Sequence, residues 1–336
     1  MGVTLKDIAQ ATGYSINTVS RALRDDRRIS DEAKERIHGE AKRLRYIPNA
    51  IASAMRSIHT KSIGVVTADS ANPFFSEVNK GIEAMAEKAG CHILVGSTEE
   101  SLTREKNLVN LFLSRMVDGL VVMPVSDTSE EHLELYRSLP VPFVFAGRHL
   151  EGFDDHCILH DDVTGEKEVV RHLISHGHRQ ILVLTGPEQV SNTQDRLQGV
   201  REAYRDAGIP LEEAFIWATN GHAEEGYAAV NQALNKGLPF TAITCFNDLV
   251  AMGALKSLSE NGLSCPRQVE VVGYDNLYMS QFMQPALTTV DVPKFRLGYA
   301  AMDSLITHIK NPSAAYGKVV MPTRLVFRES TRGGTY

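Results

Sequence analysis

Two sets of side chains could act on a partner. The first is Ser15, Ile16, Asn17, Thr18, Ser20 and Arg21, within the opening stretch TLKDIAQATGYSINTVSRALR that starts at Thr4. An Arg fork can grip a guanine edge and an Asn amide an adenine edge, each good pair giving roughly 1–3 kcal/mol of discrimination between bases. The second set is spread along the rest of the chain: Phe74 and Phe75 in Asn72-Pro73-Phe74-Phe75, Asn192 and Arg196 in SNTQDRLQG, Asn247-Asp248, and Asp275 in Gly-Tyr-Asp-Asn. Aromatic faces suit the C–H patches of a sugar, and a guanidinium binds paired oxygens in a fixed direction. Catalysis finds no support: GxGxxG, GxxxxGK[ST], HExxH and GxSxG are all absent. His172 and His176 share a helix face and read as solvated side chains, not metal ligands, and His178 reads as the end of that helix.

The elements that must position the first set are short helices. Thr4 can cap one helix, with Asp7 three residues on as an acidic capping box. Ile8, Ala9 and Ala11 supply its apolar face. Gly13 stands where the chain must turn, a place for positive φ. Ser15 then caps a second helix running to about Leu23, with Val19, Ala22 and Leu23 inward and Ile16, Asn17, Thr18 and Arg21 outward. Ser30 caps a third, with Asp31 and Glu32 in its first turn and Ala33, Ile37, Ala41 and Leu44 at helical spacing. Pro48 ends it. By residues alone a plain helical hairpin and a base-reading helix–turn–helix both stand, the latter placing its second helix in the major groove. Asn49 to Arg56 follows as a capped, Ala-rich segment too short to be a stable helix alone.

Charge is uneven along the 336 residues: residues 1–60 hold 11 Lys+Arg against 7 Asp+Glu, and the remaining 276 hold 24 against 34. A basic head on an acidic body fits a head that binds nucleic acid and a body that does not. No apolar run reaches membrane-spanning length, and the N-terminus has no secretory apolar region. Cys91, Cys157, Cys245 and Cys265 lie far apart without a CxxC pair, which reads as reduced packing residues of a cytoplasmic protein.

From Lys61 onward strands and helices alternate. Ile63–Ala68 is a continuous apolar run of the kind buried parallel strands need. Helix Phe74–Ala89, strand His92–Ser97, helix Thr103–Arg115, strand Leu120–Met123, helix Ser129–Leu139 and strand Phe143–Ala146 complete a first series. A second starts near Cys157: helix Gly165–His176, strand Ile181–Thr185, helix Gln194–Ala207, strand Phe215–Ala218, helix Ala223–Asn235, strand Ala242–Phe246, helix Leu249–Asn261 and strand Val269–Tyr274. Two such series imply two doubly wound α/β lobes, with a ligand site in the crevice at the carboxyl ends of their strands.

TLKDIAQATGYSINTVSRAL, RLRYIPNAIASAM, KSIGVV, GHRQILVLTGP, FNDLVAMGAL, VVGYDN, PALTTV and LVFREST, in this order, resemble the lactose-repressor (LacI/GalR) family of bacterial transcription regulators. The likeness is collinear from Val3 to about Thr331. It implies an all-α helix–turn–helix head (1–47), a hinge helix and linker (48–60), and a periplasmic-binding-protein-like effector and dimerisation domain (61–336). It implies double-stranded operator DNA, a sugar-like effector and a second copy of the chain as partners, with no membrane and no cofactor. It places DNA contacts at Thr4, Ser15, Ile16, Asn17, Thr18, Ser20 and Arg21 in the head and Asn49, Ala52 and Met55 in the hinge. Effector contacts fall at Phe74, Phe75, Asp161, Asn192, Arg196, Asn247 and Asp275, with His160 an alternative to Asp161. Lobe crossovers are expected near Leu159–Asp161, Val290–Val292 and Met321–Thr323.

Departures are visible too. Many relatives carry an aromatic residue where this chain has Gly221 or His222, and Leu where it has Met55. Arg148, His160, Arg196 and Lys294 together would suit an anionic sugar derivative. The chain ends soon after its REST motif without a heptad tail, so a C-terminal helix bundle joining dimers is not expected. The expected whole is a homodimeric repressor; the alternative is a sugar-binding transport component with no DNA role.

The hinge carries the first prediction. Two copies of residues 49–56 paired in the minor groove could bury their apolar faces, with Met55 as a wedge between base steps. Met55→Gly is expected to weaken specific operator binding strongly while sparing dimerisation and effector affinity. Amide exchange in residues 49–56 should slow on operator DNA; equal exchange with and without operator would sink the idea.

Overall fold

The computed structural model describes residues 3–46, 60–125 and 129–333, in two compact units, Met1–Thr60 and Lys61–Tyr336. Asn49, Ala52 and Met55 lie outside the described residues.

The first unit contains α1 (Leu5–Thr12), α2 (Ile16–Ala22) and α3 (Asp31–Arg43). The backbone N–H and the hydroxyl of Thr4 both donate to Asp7 Oδ2 at 2.7 Å, so the acidic capping box forms. Gly13 takes φ +78° and its N–H returns to Ala9 O. Ser15 Oγ accepts from Thr18 N at 3.0 Å, and Ser30 Oγ accepts from Ala33 N at 3.4 Å. Ile8, Val19, Ala22 and Ile37 are fully buried at the centre. Ala11, expected inside, is exposed. Thr12 is buried instead, with its hydroxyl donating to Ile8 O at 2.7 Å. Helical period explains it: position 12 lies over both buried positions, four residues from Ile8 and three from Ala9, whereas position 11 neighbours Ile8 alone.

The second unit has two parallel sheets. β1 (Ser62–Thr67), β2 (His92–Ser97), β3 (Gly119–Val122), β4 (Phe143–Ala146), β5 (Cys157–His160) and β11 (Val319–Met321) run in the order β11-β5-β4-β3-β1-β2. β6 (Ile181–Thr185), β7 (Ile216–Ala218), β8 (Ala242–Cys245), β9 (Glu270–Asp275), β10 (Thr288–Asp291) and β12 (Arg324–Val326) run β12-β10-β9-β8-β6-β7. Among the described residues, only β12 is antiparallel to its neighbour. The helices are α4 (Pro73–Ala89), α5 (Leu102–Ser114), α6 (Glu130–Arg137), α7 (Asp162–Ser175), α8 (Ser191–Asp206), α9 (Ala223–Asn235), α10 (Asp248–Glu260) and α11 (Lys294–Lys310). Strands such as Phe143-Val-Phe-Ala146 are buried along their whole length, as sheets covered on both faces require.

Two sequence expectations need correction. The strand at Cys157 does not open the second series: it pairs in the first sheet, Phe145 beside Cys157 and Ala146 beside Ile158. The second series does not end at Tyr274 either, because β10, α11, β11 and β12 follow. The chain therefore passes between lobes at Asp161, after β10, and between β11 and β12. α11 leaves β10 of the second sheet and packs on α4 of the first lobe. The two helices approach backbone to backbone: a Cβ on Gly298 would fall 2.0 Å from Val78 O, and one on Gly81 2.0 Å from Phe295 O.

Gly298→Ala should therefore destabilise the unit by at least the ~1–3 kcal/mol typical of an overpacked core. A urea midpoint equal to that of the wild type would contradict this close approach.

Candidate functional site

In the first unit, capping chemistry decides which polar groups remain free. Ser15 and Thr18 hydroxyls lie 2.8 Å apart and satisfy each other. Ser20 O accepts from Arg24 Nε at 3.0 Å, and Arg21 Nε stands 3.6 Å from Asp26 Oδ2. Thr4 is engaged with Asp7. Asn17 is exposed, and Ile16, an apolar residue, is 49% exposed beside it. Ile16 and Asn17 thus offer an apolar and an amide contact at the N-terminal end of α2. Arg21, one turn on, can trade an exposed ion pair of small worth for a better partner.

In the second unit, five strand ends and one helix meet around one cavity between the lobes. It is lined by Asn72, Phe74 and Phe75 after β1, Ala146, Gly147 and Arg148 after β4, and His160 at the end of β5. The facing lobe contributes Asn192 and Arg196 from α8, Phe246 and Asn247 after β8, and Asp275 at the end of β9. Pro73 opens α4, and Asn72 Oδ1 caps it by accepting from Phe74 N at 2.9 Å. That cap turns both Phe rings into the cavity wall, edge to face with centroids 5.3 Å apart.

Arg196 is the centre of the site. Its Nε donates to Asp162 Oδ1 at 2.7 Å, and its Nη1 donates to Phe246 O. The guanidinium lies 3.6 Å from the Tyr274 ring centroid and 4.8 Å from that of Phe246. Asn192 Nδ2 donates to Asp162 Oδ2 at 2.5 Å and across the cleft to Gly147 O at 2.9 Å. Burial raises the Asp162 carboxyl, but Arg196 and His160 outweigh it and hold it well below the usual carboxylate range. Burial also works against the charge on Arg196, yet Asp162, Tyr274 and Asp275 hold the guanidinium firmly protonated.

Asp275 is different. Arg196 Nη2 is 3.9 Å from its Oδ1, too far for a hydrogen bond. Burial pushes its carboxyl up to about 7, against the pull of Arg196. Its backbone takes φ +100°, followed by Asn276 at +49°, and strained non-glycine backbone of this kind collects at functional sites. His160 adds a buried imidazole, its Nε2 3.2 Å from Asp162 Oδ2, and neither ring nitrogen makes a hydrogen bond among the described residues.

The structure thus gathers Phe74, Phe75, Asn192, Arg196, Asn247 and Asp275 at one cavity. Asn247 reaches it with both polar atoms used, Oδ1 capping α10 at Val250 N and Nδ2 donating to Gly221 O. Asp161 does not line it: Oδ1 caps α7 through Thr164 N at 3.0 Å. His160 lines the cavity instead, and Asp162 holds Arg196 and Asn192 from behind it. Asp162 and Phe246 were not singled out from sequence, although the Asp161-Asp162 pair at a helix start offered the signal: the first acid caps and the second turns inward.

Residues 4–49 match the model for bacterial regulatory proteins of the lacI family. Residues 60–329 match the model for periplasmic binding proteins and the sugar binding domain of the LacI family. The chain belongs to the LacI family.

It is 33% identical over 335 residues to the HTH-type transcriptional repressor PurR of Proteus mirabilis, covering 99% of this chain and 98% of that protein. It is 30% identical to the HTH-type transcriptional repressor CytR of Escherichia coli, covering 98% of this chain and 96% of that one. Among solved structures, the lac repressor dimer bound to operator and the anti-inducer ONPF superposes with a TM-score of 0.89 at 27% identity, covering 98% of this chain and 99% of that chain. At Gly221 a Cβ would make only ordinary van der Waals contact with the Phe246 ring, 3.6 Å away, and the φ of +89° is what favours glycine there. The anionic-effector expectation weakens. Arg148 is spent on Glu100, at 2.8 and 3.0 Å. Lys294 does not line the cavity and binds the carbonyls of Asp275, Asn276 and Val292.

Asp275 gives a pH prediction. Its folded-state pKa stands above the ordinary 3.8, so the folded protein holds an extra proton between about pH 4 and 7, and stability falls as pH rises across that window. Asp275→Asn removes this contribution. Urea unfolding should show the variant gaining about 1–3 kcal/mol on wild type between pH 5 and pH 7.5. The same difference at both pH values would show that Asp275 is ionised throughout.

Proposed function

We propose that this LacI-family chain is a cytoplasmic, homodimeric transcriptional repressor whose operator affinity is set by a small polar effector, sugar-like in its hydroxyls, bound between the lobes. The observation that carries the reading is that one chain holds both a capped helix–turn–helix and a cleft with a buried guanidinium and two carboxylates. A transport component would need the cleft alone. Among the described residues no helix is long and apolar enough to cross a membrane.

In this reading α2 lies in the major groove, with Ile16, Asn17 and Arg21 at base edges. Thr4, Ser15, Thr18 and Ser20 fix its start and its approach to phosphate, and Asn49, Ala52 and Met55 serve the minor groove. In the cleft Phe74 and Phe75 take the apolar face of the effector, while Arg196, Asn192 and Asp275 take its hydroxyls. Apolar side chains left exposed on both lobes, Val95 on the edge strand β2 and Tyr278 and Phe282 after β9, offer surfaces for a second copy. Exposed apolar patches of this kind mark protein interfaces.

Selection from random DNA tests the base-reading claim. Wild type should return a near-palindromic site with two half-sites, since a symmetric dimer presents two recognition helices. A variant carrying Ile16→Ala and Asn17→Ala should return a different or degenerate half-site, each lost base contact relaxing discrimination by roughly 1–3 kcal/mol. The same site from both proteins would remove these residues from base readout.

A further inference from the structure

A second cluster of ligating side chains lies away from the cleft, at the opposite end of the second sheet. His172 sits in the last turn of α7 and His176 is its C-cap, and Glu270 is the first residue of β9, whose last residue is Asp275. One donor atom from each of the three lies within 4.8 Å of the others. The two imidazole rings have centroids 4.2 Å apart. His176 Nδ1 and Glu270 Oε2 are 2.9 Å apart. His172 Nε2 is buried and has no hydrogen-bond partner among the described residues, an arrangement that is expensive unless something binds there. Their place on an outer helix face suggests solvated side chains, yet both residues are half-buried.

We propose that His172, His176 and Glu270 form a binding site for one divalent transition-metal ion of the zinc class, completed by water. Two imidazole nitrogens and one carboxylate oxygen suit Zn²⁺, Co²⁺ or Ni²⁺, whereas Mg²⁺ and Ca²⁺ prefer all-oxygen sets. Donors about 2.1 Å from a tetrahedral ion stand roughly 3.3 Å from one another. The His176–Glu270 pair is already near that spacing, and the ion would take the place of their hydrogen bond. The remaining gap to His172 is closed by rotation of half-exposed rings, which also leaves a path for entry.

The surroundings are built as an outer shell should be. Glu270 keeps its second oxygen, Oε1, on Arg332 Nε, with His178 Nε2 3.4 Å away. His178 is held in turn by Thr241 Oγ1 at 2.8 Å and Arg332 Nη2 at 3.0 Å. Such partners fix the orientation of a ligating carboxylate. The ion would join α7, the helix that begins at the first lobe crossover, to the start of β9 and, through Arg332, to the chain after β12. It would stiffen the second lobe on the side remote from the effector cleft.

The test uses full-length protein stripped with chelator. Zn²⁺ titration by calorimetry should give one tight equivalent per chain and raise the melting temperature, while Mg²⁺ at the same concentration should do neither. His172→Gln should weaken Zn²⁺ binding at least tenfold and leave the chelator-treated melting temperature unchanged, since His172 Nε2 makes no hydrogen bond. His176→Gln should do the same to binding, with some loss of stability from its bond to Glu270. If stripped wild type takes up no Zn²⁺, or if His172→Gln binds it with wild-type affinity and stoichiometry, the site is refuted.

Discussion

A fully buried guanidinium facing two carboxylates is the constraint on which the cleft depends. Arg196 cannot leave Asp162 without stranding a charge away from water, and removing one partner of such a pair typically costs about 3–5 kcal/mol. Charge is balanced by a division of labour between the two acids. Asp162 accepts hydrogen bonds from Arg196 and Asn192 and stays ionised. Asp275 accepts none from Arg196 and is pushed up to about 7. One carboxylate neutralises the guanidinium, and the other is poised between its charged and neutral forms.

The same set ties the lobes together. Asn192, fixed by Asp162 on its own lobe, donates to Gly147 O on the other. Ser191 Oγ accepts from His149 N at 3.1 Å beside it. His160, at the end of a first-lobe strand, approaches the same Asp162. The crossovers are tied to this region: Asp161 N donates to Met321 O at 2.9 Å, Thr323 Oγ1 donates to Asp161 O at 3.1 Å, and Lys294, just after β10, binds the Asp275 carbonyl. A ligand that alters the surroundings of Arg196 therefore alters the bonds that set the lobe-to-lobe distance. A shift between two lobe arrangements requires only that the ligand bind one better than the other, and the resulting coupling to any other bound partner acts equally in both directions.

Much of this was legible in sequence where the physics is local. Caps at Thr4, Ser15 and Ser30, the turn at Gly13 and the apolar runs of β1, β4, β6 and β8 each follow from a few neighbouring residues. Pairing was not legible. Nothing in Cys157-Ile-Leu-His160 says which sheet accepts it, and β10, β11 and β12 are three or four residues long, too short to show a period. α11 is amphipathic, but it starts after Pro293 without a side-chain cap, so no local capping signal marks its beginning. In the cleft, family resemblance and strand-end position brought out Arg196 and Asp275, yet Asp162 escaped. Its role depends on which of two adjacent acids caps α7, and that is settled by the direction in which the chain enters the helix from the other lobe.

The cavity itself adds a last step. Its volume is about 40 Å³, room for a water or two, whereas sites that enclose small molecules are usually of the order of 300 Å³ or more. A sugar-sized effector can therefore enter only if the lobes part or Arg196 swings off Tyr274. Parting the lobes breaks the bond from Asn192 to Gly147, and swinging Arg196 breaks its bond to Asp162. The effector must replace them with contacts of its own, and a hydroxyl donating to Asp275 would favour the ionised form that burial alone opposes. Binding would then draw a proton from Asp275 and give the guanidinium a second full counter-charge. In the proposed reading, effector affinity and lobe position are governed by the same few buried groups, and a ligand without a donor for Asp275 would gain none of that stabilisation.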